Sequence, residues 1–172
     1  MDYRGLIKRF DLPGDWLPPV ELAYDDIRAR PLARADLDND VRAINASLEL
    51  IRRTRGGRWP AGPVTADFNY VDVVWHECEF RERDSFTYAI CGAGGEYLGN
   101  CYLYPVGSRT PLSEALLGYD VDASWWVTPS AYERGYYAKL YAAIRHWLGA
   151  EFPFAAAHYS NAEIPGGETP AR

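Results

Sequence analysis

Five groups of residues in this sequence have types and spacings that invite a chemical reading. Asp36, Asp38 and Asp40 alternate as the first ligands of a calcium loop do. That loop also needs a glycine at its sixth position and a bidentate glutamate at its twelfth, where Val41 and Ser47 stand. Calcium is therefore not expected. Gly92, Gly94, Gly95 and Gly99 miss the dinucleotide spacing. Arg52, Arg53, Arg55 and Arg58 are suited to an acidic acceptor or a phosphate, and the plain alternative is a basic helix end running into a solvated loop. Asn45-Ala46-Ser47 matches a glycosylation sequon by pattern only, inside a predicted helix. Cys78, Cys91 and Cys101 form no C-x-x-C pair and have no histidine at ligand spacing, so reduced, packed thiols are expected, with no metal or redox cofactor.

The elements that must position such groups can be read from periodicity. IRARPL, from Ile27 to Leu32, alternates apolar and charged residues as a half-buried strand does. From Asp36, Leu37, Val41, Ile44, Leu48 and Ile51 recur at helical spacing, and Gly56 and Gly57 stop the run. A second helix is predicted from Thr65, with Phe68, Val71, Trp75 and Cys78 on its apolar face. Ser85–Cys91 and Glu96–Val106 flank Gly92-Ala93-Gly94-Gly95 as the arms of a β-hairpin. Asp120–Pro129 reads as a strand closed by proline. Tyr137, Leu140, Tyr141, Ile144, Trp147 and Leu148 mark an amphipathic helix, and Phe152–Tyr159 a final strand. A further short strand is expected near Gly5–Phe10.

Composition limits the partners. The 172 residues suit one domain, and a net charge of −6 disfavours nucleic acid and anionic membranes. No opening apolar run is long enough for a signal peptide or membrane helix, so a cytoplasmic address is expected. The 13 Tyr, 6 Trp and 6 Phe call for a large aromatic core or an aromatic-lined pocket.

Taken in order, these elements resemble the GNAT superfamily of acetyl-CoA-dependent N-acyltransferases. IRARPLARAD is similar to the family's opening strand and helix start, FTYAI…GEYLGNCYLYP to its central hairpin, and WWVTPSAYERGYYAKLYAAIRHWL to its cofactor-binding strand, loop and helix. The resemblance spans roughly residues 27 to 161 and implies an α/β (α+β) fold with a mixed, mostly antiparallel sheet and flanking helices. Residues 1–26 would be an N-terminal extension and 162–172 a tail. Val127-Thr128-Pro129 ahead of Arg134-Gly135 is the most informative part. Counted from Arg134, however, the family's two glycine positions hold Tyr137 and Lys139.

The resemblance implies that the acetyl-CoA diphosphate sits at Arg134, Gly135, Tyr136, Tyr137 and Ala138, where a helix start offers free N–H groups. Tyr137 must then point away or narrow the site. The pantetheine arm would pair with the backbone of Trp126 and Val127, and Asn161 matches a position that contacts that arm. Direct attack by a neutral amine needs a base, for which Asp122 and His158 are the candidates. Against these stand a solvated strand carboxylate, a hydrogen-bonded strand histidine, and core packing for Tyr136, Tyr137 and Tyr141. The family's acid, commonly a tyrosine on a later helix, has no counterpart before Arg172.

Three functions remain open: an acyltransferase acting on a small amine or a protein N-terminus, a non-catalytic module of the same fold, and an unrelated ligand-binding domain. The N-terminal segment is expected to cover the sheet or its edge, unless two chains bury their edges in a homodimer.

Overall fold

The computed structural model describes residues 1–167. Its strands are β1 (Leu22–Tyr24), β2 (Ile27–Pro31), β3 (Phe86–Gly92), β4 (Tyr97–Tyr104), β5 (Val121–Val127) and β6 (Ala157–Tyr159). Its helices are α1 (Leu37–Asn45), α2 (Leu48–Thr54), α3 (Ala66–Glu82), α4 (Pro129–Glu133) and α5 (Tyr136–Ala150). The strands form one sheet in chain order, antiparallel except for the parallel β5–β6 pair. This is the predicted mixed, mostly antiparallel sheet with flanking helices.

β5 is buried at every position because helices cover both of its faces. Val121, Ala123, Trp125 and Val127 pack in one cluster with Leu140, Ala143, Ile144 and Trp147 of α5. On the other face, Tyr102 and Trp126 meet Ala43, Ile44 and Ile51 of α1 and α2. Two fully buried tryptophans on adjacent positions thus anchor opposite layers, and truncating either would cost roughly 3–5 kcal/mol.

Several expectations are corrected. The helix predicted as continuous from Asp36 breaks at Ala46-Ser47 into α1 and α2. Ser47 Oγ donates to the Ala43 carbonyl at 2.6 Å, the back-bonding by which serine competes with the helical ladder. Asn45 exchanges two hydrogen bonds with the backbone of Val64, which explains that side chain without a glycan.

The predicted apolar face of α3 points outward: Phe68, Val71 and Trp75 are 70%, 68% and 64% exposed. Polar partners set the inward face instead. Asn69 Nδ2 donates to Asp40 at 2.7 Å, and His76 Nδ1 lies 3.0 Å from Thr87 Oγ1.

Gly5–Phe10 forms no strand, although Lys8 N–H donates to the Val106 carbonyl at 2.8 Å. β1 lies inside the segment expected to be a mere extension, and the same segment sends Phe10 and Trp16 onto Phe86, at ring-centroid separations of 5.5 and 5.7 Å. The last strand is only Ala157–Tyr159, since the preceding Phe152 and Phe154 turn into the core. The expected tail beyond Gly167 lies outside the described residues.

Candidate active site

The site begins where β5 and β6 part company. Their pairing covers Val121↔Ala157, Asp122↔His158 and Ala123↔Tyr159 and then ends, while β5 runs on to Val127. Strand alternation decides which backbone groups of β5 face the opening. Trp126 is opposite Asn100 and Thr128 N–H donates to Leu98, so even-numbered residues turn their polar backbone toward β4. Odd-numbered residues face the gap. Of the two backbones expected to receive an extended ligand, Trp126 is therefore committed to β4 and Val127 faces the opening.

The Asn161 side chain spans this gap. Its Nδ2 donates to the Trp125 carbonyl at 2.9 Å and its Oδ1 accepts the Trp125 N–H at 3.0 Å. Nδ2 also donates to the Tyr137 hydroxyl at 2.7 Å, and that hydroxyl donates to the Glu163 carbonyl at 2.5 Å. Glu163 N–H donates in turn to the Thr54 carbonyl at 2.9 Å, tying the chain after β6 to the end of α2. Tyr137 narrows the gap rather than pointing away, and burial pushes its hydroxyl above the ordinary tyrosine range.

At the mouth of the gap lies the start of α5. Gly135 takes a φ of 83° as its N-cap and no side chain caps the helix, so the N–H groups of Tyr136, Tyr137 and Ala138 form the open first turn. The cations beside it are engaged. Arg134 makes two 2.8 Å bonds to Glu96, and Lys139 reaches Asp25 and Asp26 at 3.0 and 2.9 Å. Tyr136 Oη donates to Asp26 at 2.5 Å.

Asp122 and His158 are cross-strand neighbours at the base of the gap. Asp122 is 1% exposed, so it is not the solvated carboxylate that its sequence context suggests. Neither of its oxygens accepts a well-formed hydrogen bond among the described residues. Burial raises its pKa, while Ser160, His158, Arg109 and Arg55 pull it back down. The His158 side chain is half-buried and its ring makes no hydrogen bond among the described residues; its centroid lies 5.4 Å from that of Tyr119.

Sequence reasoning missed Arg109, which sits in a polar linker with no periodicity. Its guanidinium donates to Ser160 O and Oγ and to the carbonyls of Arg55 and Gly56, clamping the chain after β6 onto the end of α2.

No protein-family model and no curated protein sequence matches this chain. Solved structures do. The ribosomal-protein-S5-alanine acetyltransferase of Vibrio fischeri aligns with a TM-score of 0.56 at 8% identity, over 76% of this chain and 67% of that one. RimL, a ribosomal L7/L12 alpha-N-protein acetyltransferase in complex with coenzyme A, aligns at 0.55 and 12% identity, over 75% and 66%. The microcin C7 self-immunity acetyltransferase MccE, in complex with acetyl-CoA and AMP, aligns at 0.56 and 12% identity, over 73% and 64%. This chain thus spans about two thirds of the length of these structures. Its fold is that of the GNAT N-acetyltransferases, in agreement with the resemblance carried by its sequence motifs.

Proposed function

We propose that this protein is an N-acyltransferase that moves an acetyl group from acetyl-CoA to the amine of an acceptor by direct attack. The observation that carries this reading is the parting of β5 from β6 with the open first turn of α5 at its mouth. In this reading the α5 N–H groups receive the diphosphate and Val127 receives the pantetheine arm, with Asn161 turned from Trp125 to the ligand. The amine lone pair attacks the thioester carbon and the C–S bond breaks. The ammonium proton passes to Asp122 or His158, directly or through water, and the thiolate leaves with a proton from solvent. An acceptor that is a small amine or a protein N-terminus accords with the structures of like fold named above, two of which are ribosomal-protein acetyltransferases.

One set of contacts favours a second reading, a non-catalytic module of the same fold. In this reading the Asn161–Trp125–Tyr137 bridge would obstruct a pantetheine arm, and Glu96, Asp25 and Asp26 outnumber Arg134 and Lys139, the cations they pair with at the α5 start. Calorimetry with acetyl-CoA and with CoA separates the two readings. On the first, the unmodified protein binds acetyl-CoA, and a Gly135→Trp variant loses at least about tenfold in affinity, or 1.4 kcal/mol. Absence of heat at millimolar acetyl-CoA favours the second.

A further inference from the structure

On the sheet face opposite α5, a cleft of about 630 Å³ opens between the end of α2, α3, β4 and the chain after β6. Trp59, Tyr102, Tyr104 and Pro111 supply a largely aromatic wall. Arg55 stands at its inner end with only 7% exposure. Its guanidinium lies 4.0 Å from the Tyr102 ring centroid and 5.6 Å from that of Trp59, and its Nε donates to Ser124 Oγ at 3.1 Å. Its two terminal nitrogens make no well-formed hydrogen bond among the described residues, although the Tyr104 hydroxyl on the cleft wall lies close enough to interact with the guanidinium. No carboxylate forms an ion pair with it there.

Buried charges in proteins are ordinarily paired, because a desolvated ion without a partner is costly. The free edge of a guanidinium carries two parallel N–H groups that match one planar carboxylate. Arg109 adds a second positive charge beside it, and burial together with Arg55 lowers its pKa to about 10. The bonds of Arg109 to the backbone and to Ser160 hold it as a fixed field rather than as a second fork. Two carboxylates lie within range of these cations without pairing with Arg55: Asp72 lines the outer rim, 3.4 Å from His76 Nε2, and Asp122 is buried behind the wall, where the charges of Arg109 and Arg55 pull its pKa down against burial.

We infer that this cleft binds a small carboxylate, its carboxyl group held bidentately by the free edge of Arg55 and its body lying on the aromatic wall. If the acyltransferase reading holds, the ligand is the acceptor, an amine that also carries a carboxyl group. That identification rests on the acyltransferase reading, whereas the binding itself does not.

The test is titration calorimetry of the full chain, without acetyl-CoA, using phenylacetate, its neutral amide phenylacetamide and inorganic phosphate as probes. Phenylacetate should bind at least about tenfold tighter than the amide. Arg55→Lys should lose about tenfold in affinity, while Arg145→Gln, which removes an exposed cation of α5 on the other face of the sheet, stays within about twofold. On the unmodified protein, the Arg55 Nε–H signal should shift as phenylacetate is added, a readout independent of whether the variants fold. Equal affinity for acid and amide, or an unmoved Arg55 signal, overturns the inference. Tighter binding of phosphate than of phenylacetate overturns the carboxylate class in favour of a phosphorylated ligand. Failure of acetyl-CoA binding in the separate experiment above leaves this outcome untouched.

Discussion

The side chain of Asn161 is hydrogen-bonded to both backbone groups of Trp125, donating to its carbonyl at 2.9 Å and accepting its N–H at 3.0 Å. One amide thereby does what a further strand residue would do, satisfying β5 just past the point where β6 ends. The same side chain holds Tyr137 against the gap. Sheet edge, helix start and the chain after β6 therefore form one unit at the place where the fold suggests a ligand.

Asn161→Ala should destabilise the protein by roughly 2–3 kcal/mol, because it leaves the buried N–H and C=O of Trp125 without partners. For a domain of this size the melting temperature should fall by roughly 5–10 °C. Thermal unfolding followed by circular dichroism checks this. An unchanged midpoint would show that water or a shifted backbone replaces the amide.

Tyr137→Phe removes one hydroxyl that accepts from Asn161 and donates to the Glu163 carbonyl, at a cost of about 1 kcal/mol. Because the two side chains touch, their effects should not add, and a double-mutant cycle should show a coupling of about 0.5–2 kcal/mol. Urea titrations of the two single variants and the double variant measure it. Strict additivity would mean that the bridge is not one cooperative unit.

Asp122→Asn tests the buried carboxyl through pH. Burial, the dominant cause, raises its folded pKa above the ordinary carboxyl value. Between those two values the native state holds more protons than the unfolded chain, so this group makes stability fall as pH rises. Its contribution is whole below the ordinary value and is lost once pH passes the folded one. The asparagine variant lacks that titration and should gain on the parent as pH rises from about 4 to about 8. Urea midpoints of both proteins across that range provide the check, and a constant difference would rule out a perturbed Asp122.

Deleting residues 1–20 should lower the melting temperature by roughly 10 °C or more, or cause aggregation. The deletion removes Phe10 and Trp16 from Phe86, and it removes the Pro19 carbonyl that accepts from Tyr88 Oη at 2.8 Å. It also removes Lys8 Nζ from the carbonyls of Leu117 and Tyr119, at 2.9 and 2.5 Å. Light scattering during thermal unfolding distinguishes the two outcomes. A truncated chain with the parent's stability would show that these contacts are dispensable.

What the sequence determined by itself was local. Alternation at Ile27–Leu32, the glycines between the arms of β3 and β4, and the helical spacing from Tyr137 to Leu148 identified those elements, because each signal lies within one element. Their order was enough to indicate the fold. Tertiary structure decided which polar groups are buried and with whom. The inward face of α3 follows from Asn69 meeting Asp40 across 29 residues, which outweighs an apolar stripe that local periodicity favours. Asn161 could be singled out by its place after the last strand, yet its partner Trp125 lies 36 residues away on β5 and its second partner, Tyr137, on α5. Asp122 reads as a solvated strand carboxylate until helices on both sides of β5 enclose it. Burial and the pairing of buried polar groups depend on elements distant in the chain, whereas periodicity reports only the repeat within one element.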